Sequence, residues 1–263
     1  MTATLDWFGC ATFRLTLGNL VVFLDAYLDR VPDAQQHPLR PERVERCDWI
    51  VVGHSHFDHL YGAERIAKRT GAKVLGSHET VRIMEAQGVP LVQLIAVAGG
   101  ERVRLSDDVV VDVYPSQHSC VWSHRGMAPS DEVCIGDLGL TWQEQQERFR
   151  GLAAHFGSLG PDALRHLQAS AQGPRGDGGA LVYHFRTPEG TLFYQDTSGH
   201  WSGILRDLRP DVAILAHHDD WLPGFSRAID TKPIRGELAR VRPGAELVET
   251  GYAAGYPVFR GVR

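Results

Sequence analysis

An α/β fold is predicted, on three observations. Apolar runs such as Leu20-Val21-Val22-Phe23-Leu24 and Val212-Ala213-Ile214-Leu215-Ala216 have the length of buried strands. Between residues 48 and 87, strand-like and helix-like patterns alternate, as they do where helices cover a sheet. Several of the strand-like runs stop at a histidine or an aspartate, which puts reactive side chains at the sheet ends.

The elements follow in order. Leu5 to Leu15 and Leu20 to Leu24 are apolar, β-rich runs, and Thr16-Leu17-Gly18-Asn19 between them reads as a hairpin turn. Asp48 to Val52 is a continuous apolar strand that stops at Gly53, directly before His54-Ser55-His56-Phe57-Asp58-His59. Helical spacing covers Leu60 to Arg69, Ala72 to Gly76 returns to strand, and Glu79 to Gln87 is a second helix. Val103–Leu105 and Val109–Tyr114 form a hairpin around Ser106-Asp107-Asp108 that leads to His118. The sequence then changes character. Thr141-Trp142-Gln143-Glu144 is a capping-box signature, and Phe149, Leu152, Ala153 and Phe156 follow at helical spacing, so a helical insertion is expected over about 126–179. Ala180–Phe185 and Thr191–Gln195 flank the turn at residues 187–190 and end at Asp196, and the strand Asp211–Ala216 ends at His217-His218-Asp219-Asp220.

At 263 residues, a single domain spanning 1–263 can bury a core without covalent staples. The scattered cysteines Cys10, Cys47, Cys120 and Cys134 show no CxxC spacing, which opposes a disulfide framework or a zinc ribbon. Three of them read as ordinary small packed residues; for Cys120, two positions after His118, lining a site is the less favoured alternative to the same reading. The net charge of −5, without a Lys/Arg cluster, opposes nucleic acid as a partner. The apolar runs are too short to cross a bilayer, and the N-terminus lacks a signal-peptide pattern, so a cytoplasmic protein without membrane insertion is expected. A small-molecule substrate fits these properties, and a homo-oligomer is left open.

The thirteen histidines include several beside aspartates, which a metal site needs. In an extended segment, His54 and His56 project to the same side, so both imidazoles can close on one cation at about 2.0–2.1 Å. Asp58 and His59, displaced toward the helix, reach a second cation. His118 completes the first set, His217 or His218 the second, and Asp196 can join the two. Asp58 and Asp196 are thus the carboxylates expected to serve both ions and chemistry. Two divalent ions are implied, zinc in the first instance, with manganese and iron as alternatives. A hydroxide bridging cations about 3.5–4 Å apart is a strong nucleophile at neutral pH, so hydrolysis of an ester, lactone, amide or phosphodiester is the expected reaction.

His54, His56, Asp58, His59, His118, Asp196 and the His-His-Asp-Asp-Trp run at 217–221 resemble the ordered metal motifs of the metallo-β-lactamase superfamily, over roughly Trp7 to Trp221. Trp7-Phe8-Gly9-Cys10-Ala11-Thr12-Phe13 and Phe23-Leu24-Asp25 resemble its branch of ascorbate-phosphate lactonase-like and N-acylphosphatidylethanolamine phospholipase D-like proteins. The resemblance implies a four-layer αββα sandwich with the metals at one edge, and a role for Asp25 as the acceptor that braces a metal-bound histidine. By its register, His217 is the last ligand and His218 the alternative.

Other readings fit less well. A flavodiiron-like redox protein resembles a His-x-Glu-x-Asp-His pattern, whereas this chain has His56, and no flavin domain fits in the remaining length. A nucleic-acid-processing nuclease is opposed by the acidic balance. A non-catalytic metal-binding protein would need an incomplete ligand set. Trp122, His124 and Arg125 read equally well as a pocket wall or as an ordinary loop.

Overall fold

The computed structural model describes residues 3–35, 37–118, 141–144, 146–147, 150, 159–170, 178–196, 204–214, 216–217, 219–223, 232–249 and 251–259. β1 (Ala3–Trp7), β2 (Phe13–Leu17) and β3 (Leu20–Leu24) form an antiparallel meander. β4 (Trp49–Val51), β5 (Lys73–Gly76) and β6 (Leu94–Ala96) extend it in parallel from β3. In the second sheet, β7 (Arg102–Arg104), β8 (Val110–Pro115), β9 (Leu181–Thr187) and β10 (Gly190–Tyr194) are antiparallel neighbours, followed in parallel by β11 (Val212–Ile214) and β12 (Glu246–Val248). β13 (Tyr256–Pro257) returns to the first sheet and pairs with β1.

Apolar alternation brings the two sheets face to face. Leu5, Leu15, Val22 and Val51 from the first sheet pack with Val111, Val113, Tyr183, Phe185 and Tyr194 from the second. Each such side chain, fully buried, contributes on the order of 1.5–3 kcal/mol. The opposite pleat of the first sheet, with Phe23, Ile50 and Val74, is covered by Leu60 of α1 (Phe57–Leu60), Ala63, Ile66 and Ala67 of α2 (Ala63–Thr70), and Ile83 and Met84 of α3 (His78–Ala86). On the far side of the second sheet, Val182 and Phe193 pack against Ile204, and α5 covers Ile204–Leu208. Helix, sheet, sheet and helix are therefore stacked as the expected αββα sandwich.

Several boundaries differ from the sequence reading, each for a backbone reason. The run from Leu5 to Leu15 is two strands, because Gly9 and Cys10 take φ of +95° and +51° and turn the chain back on itself. The helix expected over Leu60 to Arg69 is split into α1 and α2 at Gly62, which takes φ of +104°. β6, β12 and β13 carry too little buried apolar surface to announce themselves. The capping box is present: the Glu144 amide donates to Thr141 Oγ1 at 3.3 Å, and the Thr141 amide donates to Glu144 Oε2 at 2.7 Å.

Within the expected insertion, α4 (Pro161–Ser170) turns Ala163 and Leu167 onto Val31, Ala34 and Leu222, with Phe57 and Trp221 alongside. Residues 126–140, 145, 148–149, 151–158 and 171–177 of that insertion, Phe149, Leu152, Ala153 and Phe156 of the expected helix among them, as well as Cys120, Trp122, His124 and Arg125, lie outside the described residues. α6 (Lys232–Val241) precedes β12. Among the described residues, no helix is long and apolar enough to cross a membrane.

Candidate metal centre

The site forms where strands of both sheets end. β3 ends before Asp25, β4 before His54, β8 before His118, β10 before Asp196 and β11 before His217. The histidine loop is fixed by main-chain bonds. The Asp25 amide donates to the Val51 carbonyl, the Leu181 amide to the Gly53 carbonyl, and the Ala26 amide to the His59 carbonyl, all at 2.8–2.9 Å. Ser55 donates from both its amide and its hydroxyl to the Gly178 carbonyl, which also accepts from Ser77. His56 remains extended as the residue that starts α1, and so Asp58 and His59 fall in the first helical turn, aimed back toward the strand ends.

Two triads result. In the first, His54 Nε2 lies 3.1 Å from His56 Nδ1 and 3.1 Å from His118 Nε2. In the second, His217 Nε2 lies 3.0 Å from His59 Nε2 and 3.8 Å from Asp58 Oδ2, and the latter two atoms are 3.5 Å apart. A tetrahedral cation with bonds of about 2.1 Å holds its ligand atoms about 3.4 Å from one another, so both triads have the spacing of a ligand cage. His218 lies outside the described residues; His217, with φ of +56°, reaches the cluster.

Two carboxylates sit behind the rings. Asp25 is fully buried: its Oδ2 accepts from His59 Nδ1 at 2.6 Å and from the Tyr194 hydroxyl at 2.7 Å, and its Oδ1 accepts from the Gly53 amide at 2.8 Å. Asp196 Oδ2 lies 2.5 Å from His54 Nδ1 and 3.2 Å from His59 Nδ1, so it touches one histidine of each triad. With either carboxylate ionised, as it would be opposite a bound cation, it only accepts; the Nδ1 atoms then donate and the Nε2 lone pairs are left facing the cage. Gly53 makes room for this, since a β-carbon there would lie 2.2 Å from the Asp196 carboxylate.

The electrostatics fit a cation. Burial, reinforced by the neighbouring imidazoles, holds His54 and His59 well below the ordinary histidine range, so both rings are neutral. Burial also pushes the Asp25 and Asp196 carboxyls far up and the Asp58 carboxyl up to about 7. Among the described residues Asp196 Oδ1 is buried with no hydrogen-bond partner, and a stranded acceptor of this kind costs on the order of 1–3 kcal/mol. Neutral imidazoles with inward lone pairs, carboxylates short of a countercharge and one orphaned oxygen are all relieved by divalent ions.

Residues 21–148 match the beta-lactamase superfamily domain. A UPF0173 metal-dependent hydrolase from Pyrobaculum islandicum is 32% identical over 141 residues, 52% of this chain and 58% of that protein. The chain thus spans less than two thirds of the Pyrobaculum relatives it matches. Against a UPF0173 metal-dependent hydrolase from Methanopyrus kandleri, the identity is 31% over 246 residues, which is 91% of this chain and 97% of the relative. The chain belongs to the UPF0173 metal-dependent hydrolase family, within the metallo-β-lactamase superfamily.

This UPF0173 member also shares its fold with solved structures. Igni18, a metallo hydrolase from Ignicoccus hospitalis, superposes with a TM-score of 0.59 at 14% identity, covering 96% of this chain and 97% of the other. An isothiocyanate hydrolase from Delia radicum gut bacteria gives 0.57 at 13% identity, covering 98% and 88%.

Sequence reasoning missed several residues beside the candidate site. Cys10, read as ordinary packing, is buried against His217 and Asp58. Asp219 and the buried Arg30 hold the Cys10 loop, with Arg30 Nη2 2.7 Å from Asp219 Oδ2. Tyr27 and His166 meet at 2.8 Å between their hydroxyl and Nε2, which ties α4 to the floor beside the site. The Gly-Cys turn was the one available signal for Cys10, because a turn there must interrupt the strand.

Proposed function

We propose that this protein is a hydrolase that works with a pair of divalent ions, zinc in the first instance, on a small-molecule ester, lactone, amide or phosphodiester. The observation that carries the reading is the pair of triads: His54, His56 and His118 would hold one ion, and Asp58, His59 and His217 the other. Asp196, touching a histidine of each, is the carboxylate common to both halves, and its Oδ1, without a partner among the described residues, is an acceptor that a cation would satisfy. When bound, the ions would supply an ionised solvent nucleophile and positive charge opposite a developing oxyanion.

The chain's own residues do the rest. Asp25 fixes His59 in the tautomer whose Nε2 faces the cage, and Asp196 does the same for His54. His56, His118 and His217 are only half-buried, which leaves the open side of the cluster facing solvent for substrate entry. Phe57, Tyr61 and Trp221 line the approach beside α4, with His166 stacked edge-on against Phe57 and Tyr61. In this reading, the insertion is the element that selects the substrate, since its α4 stands beside the approach to the metal centre. Chelation followed by dialysis should abolish hydrolysis across a panel of lactone, ester and phosphodiester substrates, and zinc or manganese should restore it. Turnover that survives complete metal removal would refute the proposal.

A further inference from the structure

Cys10 lies against the second triad without belonging to the ligand set the histidine motif defines. The residue is fully buried. Its Sγ is 3.4 Å from Nδ1 and 3.5 Å from Nε2 of His217, 3.5 Å from the Asp58 carbonyl oxygen and 4.0 Å from Asp58 Oδ2. The sulfur, the Asp58 carboxylate and a His217 ring nitrogen all lie within 4.8 Å of one another. An ion bound about 2.3 Å from sulfur and about 2.1 Å from nitrogen separates the two by about 3.6 Å in tetrahedral geometry; Sγ is within that reach of the His217 ring but nearly equidistant from its two nitrogens, so a turn of the ring is what would aim one nitrogen lone pair at an ion shared with the sulfur.

The backbone around Cys10 is held by partners from distant parts of the chain. Its amide donates to both Asp219 oxygens at 3.1 Å, and Asp219 in turn accepts from the buried Arg30 at 2.7 Å and from the Tyr252 hydroxyl at 2.9 Å. Its carbonyl accepts from Trp7 Nε1 and from the His217 amide, each at 3.0 Å. Cys10 has φ of +51°, a region that a side-chain-bearing residue enters at a cost and keeps only where its surroundings impose it. The frame therefore imposes the direction of this sulfur, and the His217 amide is part of the frame.

We infer that Cys10 supplies a thiolate ligand to the second ion, beside Asp58, His59 and His217; this rests on the two-ion reading above. The sulfur binds as thiolate and its proton leaves to solvent as the bond forms. Two consequences follow from donor chemistry. Four protein ligands would fill the second ion's tetrahedron, so the solvent nucleophile of the two-ion reading would sit on the ion held by His54, His56 and His118. A soft sulfur donor also makes the second position prefer zinc or cobalt to manganese or magnesium.

Cobalt(II) loading of the metal-stripped chain tests this without recourse to activity. The wild type should show visible d–d absorption together with a near-ultraviolet sulfur-to-cobalt charge-transfer band. Cys10→Ser should lose the charge-transfer band and keep the d–d absorption, whereas Cys47→Ser, altered at a buried cysteine in a different cluster, should keep both. X-ray absorption at the zinc edge of the wild type needs no variant and should report a sulfur neighbour at about 2.3 Å. Cobalt d–d bands without charge transfer, a charge-transfer band that survives in C10S, or a zinc edge with only nitrogen and oxygen neighbours would overturn the inference while leaving the two-ion reading intact. A chain that takes up no cobalt would overturn both.

Discussion

Replacing Asp25 by asparagine separates the brace from the cage. Three donors converge on this carboxylate: the Gly53 amide on Oδ1, and His59 Nδ1 and the Tyr194 hydroxyl on Oδ2, at 2.8, 2.6 and 2.7 Å. An amide of the same shape has one acceptor and one donor end. If the oxygen stays on Gly53, the NH2 group faces His59 Nδ1, and that ring can pair with it only by moving its proton to Nε2. Nε2 then has no lone pair for an ion. If the amide is reversed, the buried Gly53 N–H loses its acceptor, at a cost of about 1–3 kcal/mol. Either arrangement damages the second triad, and loss of such a brace lowers metal affinity by roughly 10–100-fold. That range corresponds to about 1.4–2.7 kcal/mol. Competition against a chromophoric chelator should show one weakened and one unchanged site in D25N, while nitrogen-15 NMR of the histidine rings distinguishes the two arrangements, a His59 proton on Nε2 marking the first and one on Nδ1 the second. Wild-type affinity at both sites would refute the reasoning.

Further predictions follow from the same geometry. Burial holds a proton on Asp58 up to a pKa of about 7, and an incoming ion must displace it. Below that pH, ion affinity should therefore fall by up to about tenfold per pH unit, with proton release growing from about pH 8 to pH 6 in calorimetry across buffers of different ionisation enthalpy; uptake with no proton release would contradict this. Asp25 and Asp196 are shifted in the same direction and add to the release. Gly53→Ala drives a β-carbon into the Asp196 carboxylate, so ion content should drop and stability should fall by about 1–3 kcal/mol in thermal melts; a fully metallated, equally stable variant would contradict it. His166→Ala removes the Tyr27 contact of α4 and should change KM or substrate preference while both ions stay bound, as elemental analysis can check.

How much was legible in the sequence depended on how local each contact is. His54, His56, Asp58 and His59 fall within six residues, and a strand end running into a helix start orients them by backbone geometry alone. His118, Asp196 and His217 were found because each follows a recognisable apolar strand, and the structure brings them to the cluster. The Asp196 carboxylate, expected between the ions, is found on the Nδ1 side of His54 and His59, a detail that depends on the space left by Gly53 and that no local pattern encodes. The Cys10 frame was invisible for a related reason, since Cys10 and Asp219 stand 209 positions apart, and Arg30 and Asp219 stand 189 apart. Weak periodicity hid β12 and β13, which are short and only partly buried.

The most direct test of the two-ion centre is the metal content of the purified chain, measured by inductively coupled plasma mass spectrometry after saturation with zinc and removal of the excess. Two zinc ions per chain are predicted for the wild type, and one for His118→Ala, which breaks only the first triad. A wild type that holds one ion or none, or an H118A variant that still holds two, would contradict it.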